Sequence, residues 1–325
     1  MRRRRCKASL AIVAAALVFG GAVGDARAQG AVATEGALFL LLPVGARAVG
    51  MGQAVVADRG GSEAIWWNPA GLGRVDAFEA AIHHSQTLVA TGDAVSLVVP
   101  FSLLGVFAAS ADVVNFGEQE ITDPTGPVGT LLPRGFVFAG TYATGIGARL
   151  TAGVTYKIVQ LRFDCTGLCP NLESISARTS ALDLGVQFEP SDALPVTVGV
   201  ALRNVGVRLQ LKDSDQADPL PTRVHVGAVY RLPRFEGFED TEIRVAGDLV
   251  DRLQVASPSA RFGAELIHQN RFFLRAGYVV DEGGGATIGA GVATGGLLID
   301  IARVMGGFSA DAGEPPVHLS LRYQF

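Results

Sequence analysis

Residues 317–325, Val-His-Leu-Ser-Leu-Arg-Tyr-Gln-Phe, alternate apolar and polar side chains without a break and finish on an aromatic ring. Successive strand side chains point to opposite faces, so Val317, Leu319, Leu321, Tyr323 and Phe325 share one face and His318, Ser320, Arg322 and Gln324 the other. One face suits hydrocarbon and the other water. Taken alone, the segment fits a strand of a membrane barrel or the last strand of a soluble sandwich.

The other end of the chain narrows the choice. Arg2 to Arg5 and Lys7 form a basic stretch, Leu10 to Val23 a small-residue apolar core, and Ala26-Arg27-Ala28 a cleavage site before Gln29. This pattern predicts a secretory signal peptide over residues 1–28. Cys6 precedes the apolar stretch and so is no lipoprotein acylation site. Cys6 and Lys7 also stand where a twin-arginine signal would place apolar residues, so ordinary Sec export is expected. Removing residues 1–28 takes away six basic residues and one acidic, leaving 21 and 30, a net charge near −9 against −4 for the precursor. That excess of acid argues against a nucleic-acid partner. Mean hydropathy is high at +0.32, yet no stretch after residue 28 approaches the ~20 apolar residues of a membrane-spanning helix. In hydrocarbon only helices and closed barrels satisfy their whole backbone. An exported chain whose apolar surface is spread over short alternating segments therefore points to a transmembrane β-barrel.

Turn residues divide the chain from residue 76 onward into strands predicted at 76–89, 92–101, 103–114, 134–145, 147–163, 176–189, 194–210, 222–232, 240–251, 260–268, 271–281, 285–294, 296–305 and 316–325. That makes fourteen, an even number, and the segments match the ~9–11 residues of a tilted span. Phe272, Leu274, Ala276, Tyr278 and Val280 oppose Phe273, Arg275, Gly277, Val279 and Asp281; Leu182, Leu184, Val186 and Phe188 oppose Asp183, Gly185, Gln187 and Glu189. Polar residues and glycines thus gather on one face, the expected lumen. Segments 92–101 and 103–114 are more uniformly apolar, so their inner faces should meet something other than bulk water. The long connections 115–133, 164–175, 211–221 and 306–315 follow strands three, five, seven and thirteen, all odd, which places them outside the cell if the first strand runs outward.

Residues 29–75 do not read as barrel. They contain Gly45-Ala-Arg-Ala-Val-Gly-Met-Gly52-Gln-Ala, then Asp58-Arg-Gly-Gly61, then Trp66-Trp-Asn-Pro-Ala-Gly71. Small residues at this density let backbone approach backbone, and Asn68-Pro69 ends any short helix before it. The combination resembles the PorV/PorQ family of outer-membrane proteins, itself similar to the FadL fatty-acid channels, whose N-terminal hatch carries an Asn-Pro-Ala turn. Where that family often has paired acidic residues, this chain has Asp58-Arg59-Gly60-Gly61. The terminal Phe325, with Tyr323 two residues earlier, likewise resembles the strand that barrel-assembly machinery reads on outer-membrane proteins.

The resemblance implies an all-β, fourteen-stranded antiparallel transmembrane β-barrel, residues 76–325, with a hatch or plug at 29–75 and a hatch turn at Asn68, Pro69, Ala70 and Gly71. Trp66 and Trp67 either touch a ligand or pack the plug to the wall. For function it implies a barrel of type IX secretion that handles exported proteins or secretion components, with Phe116, Ile121, Leu131 and Leu132 of loop 115–133 as partner contacts. The alternative is FadL-like transport of hydrophobic small molecules such as fatty acids, which requires an apolar internal pocket and a break in the wall. Either way the expected setting is the bacterial outer membrane and its lipid. Cys165 and Cys169 flank a short Gly-containing ring in an oxidising compartment, so they form a loop disulfide or stay as free thiols. With no His or third Cys nearby, no metal site is expected there, and no cofactor elsewhere. His83, His84, His225, His268 and His318 have no GxSxG, HExxH or paired-carboxylate motif beside them, so no enzyme activity is expected.

Overall fold

The computed structural model describes residues 35–325, apart from 125, 169–174, 192, 211–216, 235–236, 238, 253–254, 282–283, 307–312 and 314. The expected signal peptide and the first residues of the mature chain lie outside the described residues. Among those described, fourteen strands make the wall: β1 Glu79–Gln86, β2 Thr91–Phe101, β3 Gly105–Asn115, β4 Gly126–Ile146, β5 Leu150–Gly167, β6 Ile175–Phe188, β7 Val196–Gly206, β8 Arg223–Arg231, β9 Thr241–Arg252, β10 Val255–His268, β11 Phe272–Val280, β12 Ala286–Thr294, β13 Leu297–Val304 and β14 Val317–Gln324. Each pairs antiparallel with its neighbours in sequence, and β14 pairs with β1 from Glu79↔Gln324 to Gln86↔Val317, closing the sheet. Closure leaves no free edge in hydrocarbon.

The alternation read from sequence sorts the two faces as expected. On β14, Leu319, Leu321 and Tyr323 are exposed while His318, Ser320 and Arg322 are buried. On β11, Phe272, Leu274, Tyr278 and Val280 are exposed and Arg275 is buried, and on β6, Leu182, Leu184, Val186 and Phe188 are exposed and Asp183 and Gln187 are buried. An apolar exterior around a closed wall makes this an outer-membrane β-barrel.

Strand boundaries depart from expectation where tertiary pairing extends or cuts them. The connection 115–133 is largely a hairpin: Gln119–Asp123 pairs with the first residues of β4, which runs on from Gly126, and β5 continues beside it to Gly167. At the other extreme, Thr87 N–H donates to Ala90 O at 2.9 Å, and that turn ends β1 at Gln86. The register of β7 with β6 shifts between Leu182 and Leu184, opposite Asn204, which has φ 59, and pairing then resumes to Ala181↔Gly206, where β7 ends.

Residues 35–75 contain short helical turns only, including Leu38–Leu41, Ala46–Gly50, Ala64–Trp67 and Pro69–Leu72. A larger helical domain is absent from the described part of this segment. Its apolar residues Phe39, Leu40, Ile65, Trp66, Trp67 and Leu72 form one cluster with Ala94, Val98, Val106, Ala108 and Val114 of β2 and β3. The two strands with the most apolar inner faces therefore meet protein, not water.

Candidate functional site

The segment is seated on the inner wall through two flat windows in the sheet. Gly153 of β5 and Gly185 of β6 are cross-strand partners, and the Asn68-Pro69-Ala70 turn lies against them. Gly263 of β10 and Gly277 of β11 are likewise partners and receive Met51 and Gly52. A Cβ at Gly185 would overlap Asn68 Oδ1, and one at Gly277 would overlap the Gly52 nitrogen, so both positions need a residue without a side chain.

Asn68 is almost wholly buried and caps the turn. Its Oδ1 accepts from Ala70 N–H at 3.1 Å, and its Nδ2 donates to Val56 O at 2.6 Å. Gln187 of β6 donates from Nε2 to Val56 O at 3.1 Å and to Asp58 O at 2.8 Å, so the wall holds the same stretch of backbone. Polar groups this deep must be paired.

Opposite this turn a chain of buried ions ties the segment to β10, β11, β13 and β14. Arg47 donates from Nε and Nη2 to Glu265 at 3.1 and 2.8 Å and also pairs with Asp58. Glu265 accepts from Arg275 at 2.7 Å, Arg275 reaches Asp300 at 2.6 Å, and Arg322 pairs with Asp300 at 3.3 Å while donating to Gly60 O at 3.0 Å. Burial alone would lower the Arg47 guanidinium, but Asp58 and Glu265 more than offset it and hold it well above its usual value. Glu63 accepts from Arg47 and Ala48 N–H at 3.3 and 3.0 Å; burial pushes its carboxyl up to about 7, with Arg322 and Arg47 opposing the rise. Within Asp58-Arg59-Gly60-Gly61, the acid joins this network and Arg59 turns away to pair with Glu189.

The lumen is thus divided. Toward the outer end, a cavity of about 10 Å³ is lined by Phe39, Leu40, Leu42, Val44, Trp66, Trp67 and Val137 together with Asp112, Lys157 and Arg203. That is room for a single water. Trp67 donates from Nε1 to Val44 O at 2.9 Å, and the Arg203 guanidinium lies 5.2 Å from its ring centroid. Lys157 is neutralised by Asp183 at 2.5 Å and donates to Asn204 Oδ1 at 3.0 Å. Toward the periplasmic end a cavity of about 380 Å³ is lined by Arg47, Glu79, Arg244, Glu265, Arg275 and Arg322. Glu35 closes the outer side, accepting from both Arg223 Nη atoms at 2.9 and 2.8 Å, and Gly36 N–H donates to Pro219 O at 2.9 Å.

The remaining expected residues lie apart from this lumen site. Phe116, Ile121, Leu131 and Leu132 are half-buried in the outer hairpin and its root: Ile121 pairs with Gly129, Leu131 with Gln119 and Cys165, and Leu132 with Asp164. Cys165 is disulfide-bonded, and Cys169 lies outside the described residues. Phe325 donates its N–H to Phe78 O at 3.0 Å and packs edge-on to Phe78 and Tyr323, with centroids 5.0 and 4.7 Å away. Sequence reasoning missed Glu63, Glu265, Asp300 and Lys157. For Glu265, Asp300 and Lys157 the available signal was their place on inward-facing positions of predicted strands, and for Glu63 its place among the small residues of 45–71, but pairing partners so far apart in sequence are invisible there. Among the described residues no cluster of His, Cys, Asp and Glu is arranged to hold a metal ion.

No family model matches the chain, and no curated protein sequence is significantly similar to it. Solved structures are similar in fold. The Pseudomonas putida toluene transporter TodX aligns with TM-score 0.56 at 14% identity, covering 86% of this chain and 98% of its own. The CymD monoaromatic hydrocarbon channel aligns with TM-score 0.57 at 12% identity, covering 88% and 98%. A Pseudomonas aeruginosa FadL homologue gives 0.54 at 12%, covering 87% and 99%. TodX is a toluene transporter and CymD a monoaromatic hydrocarbon channel. These likenesses overturn the expected PorV/PorQ membership and with it the type IX secretion reading and its protein partners. The motif behind that expectation encodes close approach of backbone to glycine windows, a packing demand and not a mark of one family. The chain is an outer-membrane β-barrel with the fold of the TodX, CymD and FadL-type channels.

Proposed function

We propose that the barrel carries small hydrophobic molecules into the outer membrane, with residues 29–75 as the hatch of its lumen, residues 76–325 as the wall and residues 1–28 as the signal peptide. The observation that carries this reading is the apolar cluster of Phe39, Leu40, Leu42, Val44, Trp66 and Trp67 above a charged periplasmic chamber. An apolar solute gains by leaving water for the first and would lose by entering the second. It therefore passes sideways into lipid once the hatch has moved. Among the described residues the wall is hydrogen-bonded between all neighbouring strands, with register shifts between its fourteen strands only at Leu182/Leu184 and Val250/Arg252, and the cavity holds no more than a water. Transport thus requires displacement of the turn that carries Phe39 and Leu40. The likeness to TodX and CymD supports toluene-sized aromatic hydrocarbons as cargo, and long-chain fatty acids are the second class to test.

Trp66 and Trp67 are the two tryptophans of the chain, so intrinsic fluorescence reports directly on the cavity. Titrating the purified barrel with toluene and with a long-chain fatty acid should give a saturable change in tryptophan emission for at least one of them. Cells carrying the barrel should take up that compound faster than cells without it. Unchanged emission with both compounds, from a barrel shown to be folded by heat-modifiable migration, would sink this reading.

A further inference from the structure

The outer surface of the wall carries a charge arrangement that passage through the lumen does not use. On β5 the lipid-facing residues run Val154, Tyr156 and Ile158 and then turn polar at Gln160, Arg162 and Asp164; β4 makes the same switch after Phe136, to Arg134. On β6 it follows Leu182, giving Ser180 and Arg178. Because the chain enters β1 and leaves β14 at the same, periplasmic end, this switch marks the outer-leaflet boundary of the apolar band.

The register places Arg134 directly opposite Arg162, and Arg178 opposite Gln160, two residues from Arg162 on the same face. Directly opposed side chains stand about 4.5–5.5 Å apart at Cβ and diagonal ones about 7–8 Å, and like charges so placed repel. Arg162 and Arg178 are exposed and Arg134 is half-buried. Arg162 donates from Nε to Asp164 at 2.7 Å, whereas among the described residues neither Arg134 nor Arg178 has a carboxylate partner. Three guanidiniums and one carboxylate leave a net charge of +2. Other sectors of the outer rim differ: His84 pairs with Asp93 at 2.7 Å, and Arg303 stands between Ile288 and Val317.

We propose that Arg134, Arg162 and Arg178 bind a phosphate on the headgroup of an outer-leaflet glycolipid whose acyl chains lie along Phe136, Ile158 and Leu182. Guanidinium groups suit this task, since their planar fork matches phosphate oxygens two at a time. A phosphate dianion there would cancel the +2 charge and relieve the repulsion between Arg134 and Arg162. Clustered arginines at a membrane boundary are also the expected signature of anionic headgroup recognition.

The test is native mass spectrometry of the detergent-purified barrel after incubation with bisphosphorylated lipid A, with the same lipid stripped of phosphate, or with inorganic phosphate as competitor. The wild type should retain the phosphorylated lipid. The triple variant R134Q/R162Q/R178Q should lose retention on the order of tenfold, R303Q should behave as wild type, and millimolar phosphate should not displace the lipid. Equal retention by the triple variant, equal binding of the stripped lipid, or displacement by free phosphate would each overturn the proposal. If the triple variant gives no heat-modifiable barrel, R178Q, which leaves the Arg162–Asp164 pair intact, must lower retention by roughly threefold or more; failing that, the proposal falls.

Discussion

Asn68 does two things with one amide: it caps the turn Pro69–Leu72 and holds the Val56 carbonyl. Asn68→Ala should remove the cap, worth about 1 kcal/mol, and take one of the two donors from the Val56 carbonyl, which keeps Gln187, at about 0.5–1.5 kcal/mol more. The wall hydrogen bonds are untouched, so heat-modifiable migration should persist while acrylamide quenching of Trp66 and Trp67 rises. Gly185→Ala should give the same signature by pushing Asn68 off its window. Glu63 supplies a pH dependence. Its carboxyl is raised in the folded state to about 7, so its neutral form favours seating. That contribution is full below about 4.5, the ordinary carboxyl value, and is lost as pH rises toward 7. Quenching should therefore increase between those limits and level off above them. Glu63→Gln should flatten this component of the pH profile.

At the scale of elements, the N-terminal segment is held by contacts of great sequence separation, such as Arg47 with Glu265, 218 residues apart. Arg47→Ala leaves Asp58 and Glu265 buried without this partner, a loss of about 3–5 kcal/mol when one side of a buried pair is removed. The expected outcome is a barrel that still inserts but leaks, read as raised small-ion conductance in planar bilayers. Conductance equal to wild type would mean that the glycine windows hold the segment without the ion chain. The outer hairpin teaches the converse lesson about elements. Polar, Pro- and Gly-rich residues 115–133 read as a loop, yet they extend the wall because β5 pairs with β4 out to Gly129 and Gln119–Asp123 folds back to pair with β4.

At the scale of the whole molecule, closure depends on β14 finding β1, and the Tyr323, Phe325 and Phe78 rings meet at that seam. Phe325→Ser should lower the yield of heat-modifiable barrel in membranes, with the remaining unassembled chain found in the periplasm; unchanged yield would leave the ring as seam packing only. The strand number, their order and the sidedness of most residues were legible from the chain, as Leu319 against Ser320 or Leu184 against Gln187 illustrate. So was the special character of residues 45–71, read from small residues and the Asn-Pro pair. The family drawn from that motif was not, because Gly and Ala record only how closely backbones approach. The sequence by itself determined a closed wall, since alternation is local and a membrane tolerates no unpaired strand edge. Only the tertiary structure decided which glycines open as windows, which charges join Arg47 to Arg322, and how little space Trp66 and Trp67 leave between them. Those depend on groups that meet across the lumen only after the barrel has closed.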